Sequence, residues 1–133
     1  MKRIIFYEDL KQRCYVPEWL ADLYKKDKAA FNLVMVRLLR LSNGNLGDCK
    51  SLRGGLYELR FRNGLRIYYT NTEKETIVLF YGGGKKSQTA DIAKARQLLK
   101  ELETADDVSA RLEKLAERAF PNLLEEIIRG YKK

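Results

Sequence analysis

Three features of this 133-residue chain predict an α+β fold, a small antiparallel (mixed) sheet of about four strands packed against an N-terminal helical hairpin, with extra C-terminal helices. Residues 56–69 alternate apolar and polar side chains at the two-residue period of a strand. Residues 17–42 and 88–115 repeat apolar side chains at three- and four-residue intervals, the period of a helix. Residues 76–81 form a short apolar run, suited to a strand covered on both faces. The length suits one domain of ordinary size and is too short for two sizeable cores.

Residues 2–7, rich in Ile and aromatics, read as a first strand. Pro17 sits where a helix can begin, and Trp19, Leu20 and Leu23 place an apolar stripe along it. A second helix is expected over residues 27–42, burying Phe31, Val34, Met35, Leu38, Leu39 and Leu41, with Gly44 as its stop. Lys25, Lys26 and Lys28 mark the tip of this hairpin. Residues 43–55, with Gly44, Gly47, Gly54 and Gly55, read as a turn-rich connector.

The next two strands carry a register argument. In residues 56–62, Tyr57, Leu59 and Phe61 share one face while Glu58, Arg60 and Arg62 share the other. Beyond the turn, Leu65, Ile67 and Tyr69 alternate with Arg66 and Tyr68. A two-residue turn at Asn63-Gly64 would set Arg66 opposite Phe61 and force a guanidinium onto the apolar face. Burying an unpaired charge costs several kcal/mol, on the order of a domain's whole stability. A three-residue loop, Arg62-Asn63-Gly64, with Gly64 left-handed, instead pairs Phe61 with Leu65 and Arg60 with Arg66. That loop is the expected one, and it makes Arg60 and Arg66 cross-strand neighbours on a basic face.

After the strand at 76–81, Gly82-Gly83-Gly84 is expected to be a flexible end that lets Lys85 and Lys86 swing over the basic face. The segment is not a P-loop, because its glycines are contiguous rather than spaced as G-x-x-x-x-G-K-[ST]. Residues 88–102 read as a helix through Ile92, Ala95, Leu98, Leu99 and Leu102. Thr104 is the expected cap of another helix carrying Val108, Leu112, Leu115 and Ala119, broken at Phe120-Pro121. Asn122 would cap a last short helix through Ile128, stopped by Gly130. Residues 1–100 are the expected body, and 101–133 a helical extension of the same compact unit.

Charge is unevenly spread. The chain carries 26 Lys/Arg against 18 Asp/Glu, a net +8; residues 1–100 hold 20 against 10, and residues 101–133 hold 6 against 8. The basic character belongs to the body, which points to an acidic polymer as partner. Histidine is absent, which excludes His-based triads, His metal sites and His acid–base chemistry. Cys14 and Cys49 form no metal or redox motif, and no apolar run approaches the ~20 residues of a membrane span. No signal-peptide pattern opens the chain, and a cytoplasmic protein without cofactor or metal is expected.

The segments GNLGDCK at 44–50, YELR at 57–60, RIYY at 66–69 and GGKKSQTADI at 83–92, in this order, resemble the RelE/ParE superfamily and more narrowly its HigB-like "addiction module killer protein" branch. The resemblance covers about residues 2–100. It implies a type II toxin that cleaves messenger RNA, usually on the ribosome, and is held inactive by a cognate antitoxin, as a heterocomplex or alongside a homodimer. It implies a metal-independent attack of a ribose 2′-hydroxyl on the adjacent phosphate. By position it assigns Arg66 as the catalytic arginine, Arg60 where such toxins often carry a catalytic lysine, and Lys85 as the basic residue after the last strand. Lys50 and Arg53 match the basic residues before the hairpin. Where these enzymes supply a tyrosine or histidine proton donor, this chain has Gln88 and Asp91.

The chemistry stands on its own terms as well. Arg60, Arg66 and Lys85 can stabilise the charge of a pentavalent phosphate, with Lys50, Arg53, Arg62 and Lys86 contacting RNA around them. Glu58 shares the face of Arg60 and Arg66, as a general base or as their ion-pair partner. Two other functions stay open. One is a ParE-like toxin acting on DNA gyrase, and the other a non-catalytic RNA-binding or interaction module.

Overall fold

A five-stranded mixed sheet forms the centre of the computed structural model, which describes residues 2–72 and 75–117. In chain order the elements are β1 (Arg3–Phe6), α1 (Tyr15–Lys26), α2 (Lys28–Ser42), β2 (Cys49–Ser51), β3 (Tyr57–Arg60), β4 (Arg66–Asn71), β5 (Thr76–Gly83), α3 (Gln88–Glu103) and α4 (Val108–Ala116). The strands lie in the order β1-β5-β4-β3-β2, with β1 parallel to β5 and every other pairing antiparallel. The fold class is thus α+β, with one strand more than the sequence suggests. The added strand, β2, sits inside the glycine-rich connector. Its three residues are too few to show periodicity, and pairing with β3 is what orders them.

Local chemistry explains most boundaries. Asp27 separates the two helices of the hairpin and caps α2, its side chain accepting a hydrogen bond from the Ala30 amide at 3.0 Å. α2 closes at Asn43, followed by Gly44 at φ +89°, the left-handed exit that favours glycine. The cap of α4 is Asp107, which accepts from the Ala110 amide, and not Thr104. Thr104 instead closes α3, its hydroxyl donating to the Lys100 carbonyl. An Asp three residues further along displaced the expected threonine because an ionised carboxylate is the stronger acceptor. Residues 118–133, which contain Ala119, the expected break at Phe120-Pro121 and the expected helix to Ile128, lie outside the described residues.

Helices cover both faces of the sheet. On one face α1 and α2 bury Val16, Leu20, Phe31, Val34, Leu38 and Leu41 against Ile4, Leu59, Ile67, Tyr69 and Leu79. On the other, α3 buries Ala95, Leu98, Leu99 and Leu102 against Ile5, Leu56, Tyr68, Val78 and Phe80. This second layer is what covers the other face of β5, whose apolar run suited a strand buried on both sides. The short helix α4 closes the β1 edge, with Leu115 buried, Arg111 bonded to the Glu8 carbonyl, and Glu113 3.4 Å from Arg3.

The β3–β4 loop has the expected form. Phe61 donates to the Leu65 carbonyl and Gly64 to the Phe61 carbonyl, both at 3.0 Å, and Gly64 stands at φ +89°. Arg60 lies opposite Arg66. Between β4 and β5 the register slips by one, so that Tyr68 faces Tyr81 while Tyr69 faces Leu79, leaving Phe80 as the extra residue of a bulge. The bulge keeps Phe80 and Tyr81 both toward α3, and it restarts the alternation for the glycines that follow.

Those glycines are packing residues, which corrects the expected flexible end. A Cβ on Gly82 would stand 2.5 Å from the Trp19 ring, and one on Gly83 would stand 2.0 Å from Asp91 Oδ2. Both belong to β5, and each lets a helix side chain approach the strand from one side. Of these three glycines, only Gly84 has open space around it.

Candidate nucleic-acid interface

Strand pairing sets two rows of side chains across the α3 side of the sheet. One row runs Lys50, Glu58, Tyr68, Tyr81 over β2, β3, β4 and β5. The next runs Arg60, Arg66, Gly83. α3 begins only at Gln88, so its body covers Tyr68 while the ends of both rows stay open.

Glu58 anchors the group. It is 1% exposed, and its Oε2 accepts a 2.9 Å hydrogen bond from Gln88 Nε2 and lies 3.5 Å from Arg66 Nε. The latter contact is an ion pair without hydrogen-bond alignment. Arg66, with its side chain 13% exposed, also donates from Nη1 to the Gly64 carbonyl at 2.9 Å. The Lys85 side chain lies over that same Gly64, its Cγ, Cδ and Cε all within van der Waals reach of where a Cβ would stand. Glu58, Arg66 and Lys85 therefore converge at the hairpin tip. The Arg60 guanidinium turns instead to Asp48, 3.3 Å away, on the loop before β2.

The remaining predicted contacts divide. Lys50 is exposed directly opposite Glu58, and Lys86 is exposed at the approach to α3. Arg62 projects from the hairpin loop, where Arg60, Phe61 and Arg62 form one wall of a groove against α2. Arg53 stands apart, at the opposite end of β3 from the hairpin tip. It adopts φ +69°, its carbonyl accepts from Arg96 Nη1, and Arg96 Nη2 binds the neighbouring Leu52 carbonyl. That tie to α3 holds the turn away from the tip, so Arg53 does not join the cluster.

Several participants were not among the predicted catalytic or RNA-binding residues, although Gln88 and Asp91 were noted by position. Gln88 and Asp91 sit at the start of α3, where Gln88 reaches Glu58 and the buried Asp91 accepts from the Ser87 hydroxyl at 2.6 Å. The Tyr68 hydroxyl is buried beside them without an aligned hydrogen bond. Burial first, and then the charges of Glu58 and Asp91, push its ionisation above the ordinary phenol range. It remains a neutral phenol at any working pH. Arg37 spans layers: its Nη1 donates to the Arg60 carbonyl at 2.8 Å, and its guanidinium lies 5.0 Å from the Phe61 ring centre. An arginine flanked by apolar residues in α2, one of two there with Arg40, was the signal for it in the sequence.

No family model matches this chain. It is similar to an uncharacterized protein of Haemophilus influenzae, 38% identical over 86 residues, which span 63% of this chain and 85% of the relative. The two belong to one family. Among the described residues, no helix is long and apolar enough to cross a membrane.

Proposed function

We propose that the protein is a type II toxin of the RelE/HigB kind, an mRNA endoribonuclease that acts with the ribosome and is neutralised by a cognate antitoxin. One observation carries the reading. The β3–β4 register sets Arg60 beside Arg66 at the same hairpin tip that Lys85 covers, with Lys50 on the neighbouring row. Arg66, Lys85 and Lys50, with Arg60 held at the rim by Asp48, outnumber the two buried carboxylates Glu58 and Asp91 at this end of the sheet, a balance that suits a phosphodiester.

In this reading the 2′-hydroxyl of one nucleotide gives its proton to water and attacks the adjacent phosphorus, the bond to the 5′-oxygen of the next nucleotide breaks, that oxygen takes a proton from water, and a 2′,3′-cyclic phosphate forms. Arg66 and Lys85 stabilise the extra charge of the pentavalent state, each donor contributing roughly 10²–10³-fold. Glu58 acts as a positioning residue. Buried and shared between Gln88 and Arg66, it fixes the guanidinium rather than taking a proton from solvent-borne RNA. Alignment of the RNA by the ribosome supplies the orientation term, which by itself can be worth several kcal/mol.

The test compares Lys85→Ala and Arg66→Lys with the parent protein in a translating extract, followed by mapping of transcript ends. Arg66→Lys keeps the charge and loses the planar fork. Cleavage should fall by about 10²-fold or more in each. Unchanged cleavage in both would end the nuclease assignment.

A second reading is favoured by the way Arg66 is tied to Glu58 and the Gly64 carbonyl. A guanidinium held so firmly also suits a surface that grips RNA without cutting it. That protein would retard an RNA oligonucleotide in a gel and leave its ends intact.

A further inference from the structure

The end of β5 opens a cleft on the edge that faces away from β4. β1 stops pairing at Phe6, opposite Leu79, while β5 runs on to Gly83, so in the described sheet its last residues have no neighbouring strand on that side. The start of α1 fills part of the gap. What remains is a cleft of about 210 Å3 lined by Arg13, Tyr15, Glu18, Trp19, Tyr81 and Gly82. Half of that lining is aromatic, and all three aromatic residues are partly buried rather than closed into the core.

A buried carboxylate holds the walls in place. Asp9, 8% exposed, accepts from the Lys11 amide at 2.9 Å, the Arg13 amide at 2.8 Å and the Tyr15 hydroxyl at 2.9 Å. The same loop carries Gln12 at φ +66°, a left-handed conformation that a side chain disfavours and that the bonds to Asp9 maintain. Tyr15 thereby stands with its ring centre 5.3 Å from that of Tyr81, and Trp19 lies on Gly82 from the other side. The Arg13 guanidinium is 4.6 Å from the Tyr15 ring centre and Lys94 Nζ 5.0 Å from it. Arg13 also pairs with Glu18 at 3.0 Å, but both side chains are more than half exposed, so water weakens the pair and a ligand can open it.

We infer that this cleft is a nucleobase site. One base packs on the Trp19 and Tyr81 rings, Glu18 accepts from its amino edge, and the adjoining phosphate meets Arg13 and Lys94. Aromatic walls alone would also suit a quaternary ammonium, but the two cations already beside Tyr15 repel one. A bare phosphate gains nothing from the rings, and the volume is below the roughly 300–1,000 Å3 of sites for larger ligands. A free nucleotide and a nucleotide within an RNA strand present this chemistry equally. The inference does not depend on the ribonuclease reading, because no residue of the cleft is assigned a part in cleavage and β4, with Arg66, pairs with the opposite edge of β5.

The experiment uses the full chain, whose only tryptophan is Trp19, so that its fluorescence reports on the cleft directly. The probes are AMP, ribose 5-phosphate, which lacks the base, and a 2′-O-methyl RNA tetranucleotide, which its own 2′-oxygens cannot cut. AMP should quench Trp19 saturably, and ribose 5-phosphate should not. Calorimetry should show binding of AMP or the tetranucleotide weakened at least about tenfold by Tyr81→Leu and by Arg13→Ser. Arg13 is exposed, and circular dichroism checks that both variants remain folded. The tetranucleotide decides the source of the base. Quenching by it alone, or its competition with AMP, assigns the base to an RNA strand; AMP quenching that it cannot compete away assigns a free nucleotide. Lys85→Ala should lower transcript cleavage and leave AMP affinity unchanged, which separates this result from the previous one. Absence of quenching by AMP and the tetranucleotide alike would overturn the proposal. So would equal quenching by ribose 5-phosphate, or parental affinity in both variants.

Discussion

The hairpin tip holds two arginines that face each other across β3 and β4 yet live in different surroundings. Arg60 meets Asp48 where both side chains are substantially exposed, whereas Arg66 meets Glu58 under the edge of α3. An exposed pair gains little, because water screens the attraction and two long side chains lose freedom to make it. A buried pair gains no more in net terms, but it cannot be half removed, since the survivor is then a charge without a counter-charge. The same register position therefore yields a replaceable contact on one strand and an obligatory one on the other. Only the placement of α3 distinguishes them.

That contrast can be broken most forcefully at Glu58. Glu58→Ala leaves Arg66 without its counter-ion and should cost about 3–5 kcal/mol in urea unfolding. Replacing both members, Glu58→Leu with Arg66→Met, should recover a large part of that loss, as the double-mutant cycle would show. If Glu58→Ala unfolds with parental stability, the pair is not the buried anchor described above.

Gly83→Ala probes what places α3 over the pair. Its new methyl would meet Asp91 Oδ2, so either Asp91 or the start of α3 must shift, at about 1–3 kcal/mol. Hydrogen exchange should then show faster exchange at the first turn of α3, with the α2 amides unaffected. Equal protection throughout α3 would mean that Asp91 simply rotates away.

A pH effect comes from the loop between β1 and α1. Burial by itself raises the Asp9 carboxyl. The amides of Arg13 and Lys11, the Tyr15 hydroxyl and the nearby Lys94 charge outweigh it and hold Asp9 below the usual carboxylate range. A carboxyl lower in the folded state than in the unfolded chain stabilises at pH above the unfolded value, about 3.9, and that stability is lost as pH falls through the folded value. Asp9→Asn should accordingly flatten the acid limb of stability below about pH 4 and lower stability near neutrality. An acid limb identical to the parent's would assign the loss to other carboxyls.

Smallest of all is the exposed member of the comparison. Asp48→Ala should change stability by less than about 1 kcal/mol, and the change should shrink in high salt. It frees Arg60, so under the proposed function it should strengthen RNA binding slightly rather than weaken it.

Much of this molecule could be read along the chain. The period of two in 57–61 and 65–69, with the cost of burying Arg66 on the apolar face, was enough to select the three-residue loop and so the Arg60–Arg66 pairing. The helix period over 27–42 and the glycine stop at Gly44 located α2 to within a residue. Those features are local: each is decided by side chains within a few positions of one another. Long-range packing decided the rest. Nothing near residues 49–51 marks a strand, because β2 exists only through its bonds to β3. Nothing in the triple glycine distinguishes a loose end from a strand pressed by Trp19 on one side and Asp91 on the other. The sequence could show that Glu58 shares a face with two arginines. Whether that face meets water or a helix, and hence whether Glu58 moves protons or holds Arg66 still, depended on where α3 comes to rest, some thirty residues along the chain.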